Sequence, residues 1–274
     1  MILQFHIPPA PLNNYIELIT YYKGYNPPHT IERLLPDGGI DLIIDLTDVP
    51  KYIYDNDTLK EIQSCKKAWI SGMRTEYISI QARSDESEMM VIRFRPGMAW
   101  SFLHMPVLEI KNKVVDAELV FGNEFFSFRE QLLEKPGPDE KFAIAETYLL
   151  GRIKNHFEVH PAIQYCISAI GNSPSQASIR EITCKTGYTN KHLISLFGKY
   201  AGIGPKKYVS VLKFQQAVML LEKTPGHINW PGLALDCGYY DQAHFINEFK
   251  RFSGFNPSAY MDVKGDYINY IPVR

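Results

Sequence analysis

The sequence predicts two domains, the first mainly antiparallel β and barrel-like with added helices, the second all-α with two helix-turn-helix units joined by a linker helix. Three observations predict this. The chain is long and apolar enough, at 274 residues and 45% apolar content, to bury more than one core. Short alternating segments rich in Ile, Val and Tyr fill the first hundred residues, and helical periodicity replaces them afterwards. A pattern of Gly, His, Phe, Gly, Pro and Tyr then occurs twice in the second half.

After a Pro-rich start, residues 40–48 ("IDLIIDLTD"), 51–55, 75–83 and 88–97 ("EMMVIRFRPG") read as strands. The turn signals "PDGG" at 36–39 and "SDES" at 84–87 lie between them. Helical spacing begins near Ala99 and strengthens at 125–134 and 139–153, where it closes the first domain. The stretch "NHFEVHP" at 155–161 is the expected boundary, with Pro161 placed to open the next helix. The expected division is therefore 1–157 and 158–274. From Pro161 onward the chain reads as helices over 162–170, 178–186, 189–200, 205–222, 231–237 and 241–252.

The repeat relates "GYTNKHLISLFGKYAGIGPKKY" (187–208) to "GYYDQAHFINEFKRFSGFNPSAY" (238–260). His192 and Phe197 correspond to His244 and Phe249; from each Phe, Gly follows at +5, Pro at +8 and Tyr at +11. A shorter apolar-patterned helix precedes each copy, so each unit is short helix, tight turn, longer helix, an arrangement whose second helix can enter a major groove. Leu193, Leu196, Phe197 and Tyr200 form the inward stripe of the first long helix, and Phe245, Phe249 and Phe252 that of the second. Thr189 and Asp241 are the expected N-caps.

The outward faces are then Asn190, Lys191, Ile194 and Ser195 in the first unit, and Gln242, Ala243, Ile246 and Asn247 in the second. Amides can read adenine edges and aliphatic groups can pack on thymine methyls. Lys199, Lys206, Lys207, Lys250 and Arg251 are the nearest candidates for phosphate contacts, which position a protein without specifying sequence. The helix over 205–223 packs on both units and fixes their separation, so that two recognition helices 52 residues apart in sequence enter successive major-groove segments roughly 34 Å apart.

Charge permits this reading without carrying it. The whole chain has a net charge of −1, whereas from Glu158 onward 12 Lys plus Arg stand against 8 Asp plus Glu. Neither a signal peptide nor a membrane span is indicated, and a cytoplasmic location is expected. Cys65, Cys166, Cys184 and Cys237 are scattered, so buried reduced thiols are expected, with no metal site and no cofactor. No HExxH, G-x-S-x-G or phosphate-cradling Gly-rich loop occurs, and no catalytic residue is assigned. Arg93, Arg95 and His104, with Asp37, Asp41 and Asp45, read first as structural ion pairs on half-exposed strands; the alternative is that Arg93 or Arg95 lines a pocket for an anionic effector.

The second half resembles the AraC/XylS family of bacterial transcription regulators over roughly 162–261, on "LDCGYYDQAHFINEFKRFSGFNPSAY" and on "ITCKTGYTNKHLISLFGKYAGIGPKKYVSVLKFQQAVMLL". The resemblance implies a domain with two helix-turn-helix units that binds double-stranded DNA near promoters and contacts RNA polymerase. By position it implies base contacts from Lys191, Ile194 and Ser195 and from Gln242, Ala243, Ile246 and Asn247. Arg is common in relatives where this chain has Ser195 or Asn247, so the strong bidentate guanine contact is missing and an A·T-leaning readout is expected. The first half resembles the sensor-side domain of a subgroup of these regulators, on "RLLPDGGIDLIIDL", "ISGMRTEYI" and "VIRFRPGMAWSFLHMPVLEIKNKVVDAELVFG". Three functions follow: a regulator controlled by a small-molecule effector, one whose first domain binds a protein or only forms a homodimer, and an enzyme with a helical accessory domain.

Overall fold

Alternation along the strands sorts their side chains onto two faces, and the second layer is built from that sorting. In the computed structural model, which describes all residues except Asp85, 154–159, Pro225, His227 and Arg274, ten strands precede the main helical region. They are β1 (Ile2–His6), β2 (Ile16–Lys23), β3 (Ile31–Leu34), β4 (Ile40–Asp45), β5 (Lys51–Tyr54), β6 (Glu61–Cys65), β7 (Ala68–Ser71), β8 (Ile78–Gln81), β9 (Glu88–Phe94) and β10 (Val114–Asp116). One sheet has the order β1-β2-β9-β4-β7-β10; the other runs β3-β8-β5-β6 and gains a fifth strand, β11 (Tyr270–Val273), from the far end of the chain. Every pairing is antiparallel. The interleaving of β2-β9-β4-β7 with β3-β8-β5-β6 is that of a double-sheet jelly roll. The barrel-like domain is thus an open sandwich.

Ile19, Tyr21, Leu42, Ile44, Met90, Ile92 and Phe94 lie on one face of the larger sheet and are all buried. They pack with α1 (Trp100–Leu103), α2 (Ala117–Phe121), α3 (Glu124–Leu133) and α4 (Pro138–Ile153). Side chains of opposite parity, Ile43, Trp69 and Met89, meet Ile53, Cys65 and Ile78 of the other sheet in a separate, smaller cluster. The strands expected at 40–48, 51–55, 75–83 and 88–97 are present with trimmed ends, while β1 and β2 fall where only a Pro-rich lead was expected.

Next come α5 (Pro161–Asn172), α6 (Ile179–Thr186), α7 (Asn190–Ala201), α8 (Pro205–Lys223), α9 (Trp230–Asp236), α10 (Gln242–Ser253) and α11 (Pro257–Val263). The boundary expected at 157/158 falls on residues outside the described set. Side chains from Leu12 to Ile271 belong to one continuous buried cluster, so the sandwich and the helices share a core. At their contact Lys199 Nζ lies 4.4 Å above the Trp100 ring, and Gln215 Nε2 donates to Pro36 O at 2.8 Å. β11 then pairs with β3, Tyr270 opposite Leu34 and Val273 opposite Ile31. Among the cysteines, Cys65, Cys166 and Cys237 are buried free thiols; Cys184, expected buried, is exposed. Its position on the outer side of the short α6 explains the difference, since Ile182 and Thr183 take the inward one.

Candidate nucleic-acid interface

Each unit is built by caps. Thr189 Oγ1 accepts from His192 N at 3.3 Å and Asp241 Oδ1 from His244 N at 2.7 Å, so both long helices start on a side-chain acceptor that serves otherwise unpaired N–H groups. Both stop at a glycine in the left-handed region, Gly202 (φ 80°) and Gly254 (φ 77°), where a side chain would be strained. The short helices begin on Ser178 and Asn229, which accept from Glu181 N and Gly232 N.

Packing fixes the two units against α8. Tyr208 reaches Phe197 of the first at 6.1 Å between ring centroids, and Phe214 reaches Phe249 and Phe252 of the second at 5.1 and 5.0 Å. Lys213 Nζ donates to Gly238 O at 2.7 Å and ties down the turn ahead of α10. The linker therefore contacts both units, as its apolar spacing indicates.

On α7, Asn190, Lys191, Ile194 and Ser195 are all exposed, Ile194 at 55%. On α10, Ala243 and Asn247 are exposed, whereas Gln242 and Ile246 are half-buried and Ile246 packs on the core. An open groove of about 690 Å³ runs between the helices, bordered by Asn190 and Ile194 of α7, Lys206 and Lys207 of α8, and His244 and Arg251 of α10. His244 was not among the sequence-derived candidates, although its repeat counterpart His192 pointed to it. Tyr240, 87% exposed beside the α10 N-cap, was missed as well, because a Gly-Tyr-Tyr turn reads first as packing.

The cations differ in what holds them. Lys191, Lys206 and Lys250 are exposed. Arg251 pairs with Glu248 one turn earlier at 2.6 Å, and its guanidinium lies 4.6 Å from the Phe252 ring centroid. Lys207 stands 5.5 Å over the same ring; burial and then the nearby Arg251 lower its pKa, so an anion in the groove relieves its charge. Lys199 is turned toward Trp100 in the sandwich.

In the sandwich, Arg93 clasps Asp41 through Nε and Nη2, both at 2.8 Å, and reaches Asp37 at 2.6 Å. Asp41, first among the causes, and Asp37 hold its pKa well above the usual arginine value against the effect of burial. Arg95 donates from Nε to Asn13 O at 2.6 Å and borders a separate open cleft of about 480 Å³ with Met98, Gln164 and Ile167. No cluster of three or more His, Cys, Asp or Glu able to hold a metal occurs among the described residues, and no helix there is long and apolar enough to cross a membrane.

Two capped short-helix, turn, long-helix units on one connecting helix define a helix-turn-helix DNA-binding domain. A helix-turn-helix domain model matches residues 173–262, and a model described as Domain of unknown function (DUF6597) matches residues 4–116. An uncharacterized HTH-type transcriptional regulator of Haemophilus influenzae is 29% identical over 69 residues, 25% of this chain and 22% of that protein. The HTH-type transcriptional activator AarP of Providencia stuartii is 29% identical over 90 residues, 33% of this chain and 65% of that protein. The chain thus spans about a fifth and just under two thirds of these relatives' lengths. The solved structure of ToxT from Vibrio cholerae aligns with a TM-score of 0.47 at 12% identity, covering 89% of this chain and 97% of that one. Residues 173–262 therefore carry a helix-turn-helix domain similar to those of HTH-type transcriptional regulators, in agreement with the resemblance of the second half to the AraC/XylS family.

Proposed function

We propose that this protein is a sequence-specific DNA-binding transcription regulator, with DNA bound by 158–274 and activity set through 1–157 by a small-molecule effector. The observation that carries this is the groove that α7 and α10 border together, with Lys206, Lys207 and Arg251 along it. In this reading the duplex backbone between two major-groove segments lies along that cationic rim, and the exposed faces of α7 and α10 meet base edges on either side. Contact with RNA polymerase is the remaining part of the family reading. Truncating Gln242 and Asn247 together relaxes sequence preference by about 1–3 kcal/mol per position read. Lys206→Ala weakens binding on all sequences and lowers the salt slope by about 1. Titrations on selected and random DNA at several salt concentrations measure both; equal losses on the two DNAs for the first pair contradict the assignment of α10.

A specific feature also favours a homodimer. β1 ends the larger sheet, and Ile2, Leu3 and Phe5 are 49%, 38% and 64% exposed on it. It has no Lys, Pro or bulge of the kind that keeps free edges from pairing. Tyr267 Oη lies 3.6 Å from Met1 Sδ, joining this edge to the exposed Ile268 and Tyr270. With large side chains at 150–250 Å² each, the exposed parts come to roughly 800 Å² per copy, the area of a standard interface. The occupant is a second copy, paired antiparallel across a twofold axis. Phe5→Glu is expected to halve the sedimenting mass; an unchanged mass in both proteins contradicts the pairing.

A further inference from the structure

Among the described residues, Arg74 is the arginine with two buried nitrogens lacking a hydrogen bond; Arg33 and Arg152 leave Nε alone, and Arg129 is held by Asp45 O and Thr47 O. Arg93 has Asp37 and Asp41. Arg33 lies between the rings of Tyr77 and Phe255, 4.5 Å from each, and Arg152 is 4.9 Å from the Phe121 centroid. Arg74 is 8% exposed, and its Nε and Nη2 have no hydrogen-bond partner among the described residues. Burial lowers its pKa to about 10, against smaller upward effects of Glu76 and Cys65. Glu76 itself is exposed. Buried donors left unpaired are rare and costly, and guanidinium donors especially so.

The orphaned edge has a defined chemistry. Nε and Nη2 are the pair with which Arg93 grips the two oxygens of Asp41. Such side-on, two-bond pairing selects a carboxylate or a similar oxyanion. The loop presenting Arg74, between β7 and β8, is fixed on both sides. Gly72 N donates to Lys113 O at 3.0 Å, Asn112 N to Met73 O at 2.9 Å, and Thr75 N to Asn112 Oδ1 at 2.7 Å. Cys65, near enough to Arg74 to act on its charge, belongs to the inter-sheet cluster with Ile53, Trp69 and Ile78, so one side of the site is apolar.

The same loop touches the end of both recognition helices. A Cβ on Gly202, the last turn of α7, would fall 3.1 Å from Met73 Cβ; one on Gly254, the equivalent glycine of α10, would fall 2.8 Å from Tyr77 Cζ. Met73 and Tyr77 flank Arg74 in the chain.

We propose that the β7–β8 loop is the receptor for a small apolar carboxylate, gripped by the Nε and Nη2 edge of Arg74, and that its occupancy is transmitted to both recognition helices through Met73 and Tyr77. This rests on the effector-controlled reading above. The probes are benzoate, octanoate and inorganic phosphate, added to the full-length protein, its Arg74→Met variant and its Arg74→Lys variant during thermal melting. At a hundredfold excess over the dissociation constant, at least one carboxylate raises the wild-type melting temperature by about 5–10 °C. Arg74→Met abolishes the shift, and Arg74→Lys, which lacks the fork, loses most of it.

Without any probe, Arg74→Met melts at or above wild type, because an unpaired buried charge is removed; a structural arginine gives the opposite sign. The proposal is overturned by a lower melting point for probe-free Arg74→Met, by carboxylate shifts equal in wild type and Arg74→Met, by no shift with either carboxylate, or by a shift with phosphate alone. DNA binding by wild type and Arg74→Met is measured alongside. Its loss in both counts against the regulator reading, while the melting comparison still decides the carboxylate site.

Discussion

Gly72→Ala is expected to lower the melting temperature by roughly 10 °C, a loss of about 3 kcal/mol or more for a chain of this size. The new methyl would fall 1.8 Å from Ile110 O and 2.7 Å from Ile110 C. Those atoms are backbone. They belong to the segment held by Asn112 N→Met73 O and Gly72 N→Lys113 O, so relief requires breaking the bonds that seat the β7–β8 loop. Gly151→Ala is the matched control: it lies inside α4 with nothing within 4 Å of the added methyl, and it gains about 1 kcal/mol from helix propensity. Thermal melting of the two variants beside wild type checks the pair of signs. Similar melting points for both contradict the close approach at Gly72.

Phe249→Ala is expected to cost about 3–5 kcal/mol and to weaken DNA binding by removing the second unit's contribution. Phe249 is fully buried and meets Phe214 of the linker, Phe245 of its own helix and Tyr260 of α11, at centroid distances of 5.1, 5.6 and 5.3 Å. A cavity there leaves α10 capped by Asp241 but loose on α8, whereas the first unit keeps Phe197 on Tyr208. Chemical denaturation measures the first effect. Titration on DNA measures the second, which exceeds any loss from truncating a single exposed side chain.

Much of this fold was legible because its patterns are local. β4 and β9 alternate over six and seven residues, and the stripe of α10 recurs at helical spacing. β1 and β2 were hidden among Pro8, Pro9 and Pro11, and β11 is a four-residue strand containing Pro272 whose partner lies more than two hundred residues earlier. Contacts of that length leave no periodic trace. The exposed face of α7 followed from helix geometry alone, but Ile246 on α10 turns partly inward, since a β-branched side chain beside Phe245 finds core to cover. The engagement of Lys199 by Trp100 and the orphaned edge of Arg74 are tertiary facts: residue type and spacing offered Lys199 as a phosphate contact and did not mark Arg74.

The central claim is that α7 and α10 read separate segments of one duplex face. The most direct test is chemical interference footprinting of the full-length protein on DNA selected from a random pool, repeated with Asn190→Ala/Ser195→Ala and with Ala243→Asp/Asn247→Ala. The account predicts two protected major-groove patches about 10 base pairs apart, with the first pair of substitutions erasing one patch and the second pair the other. A single patch, or two patches lost together with either pair, contradicts it.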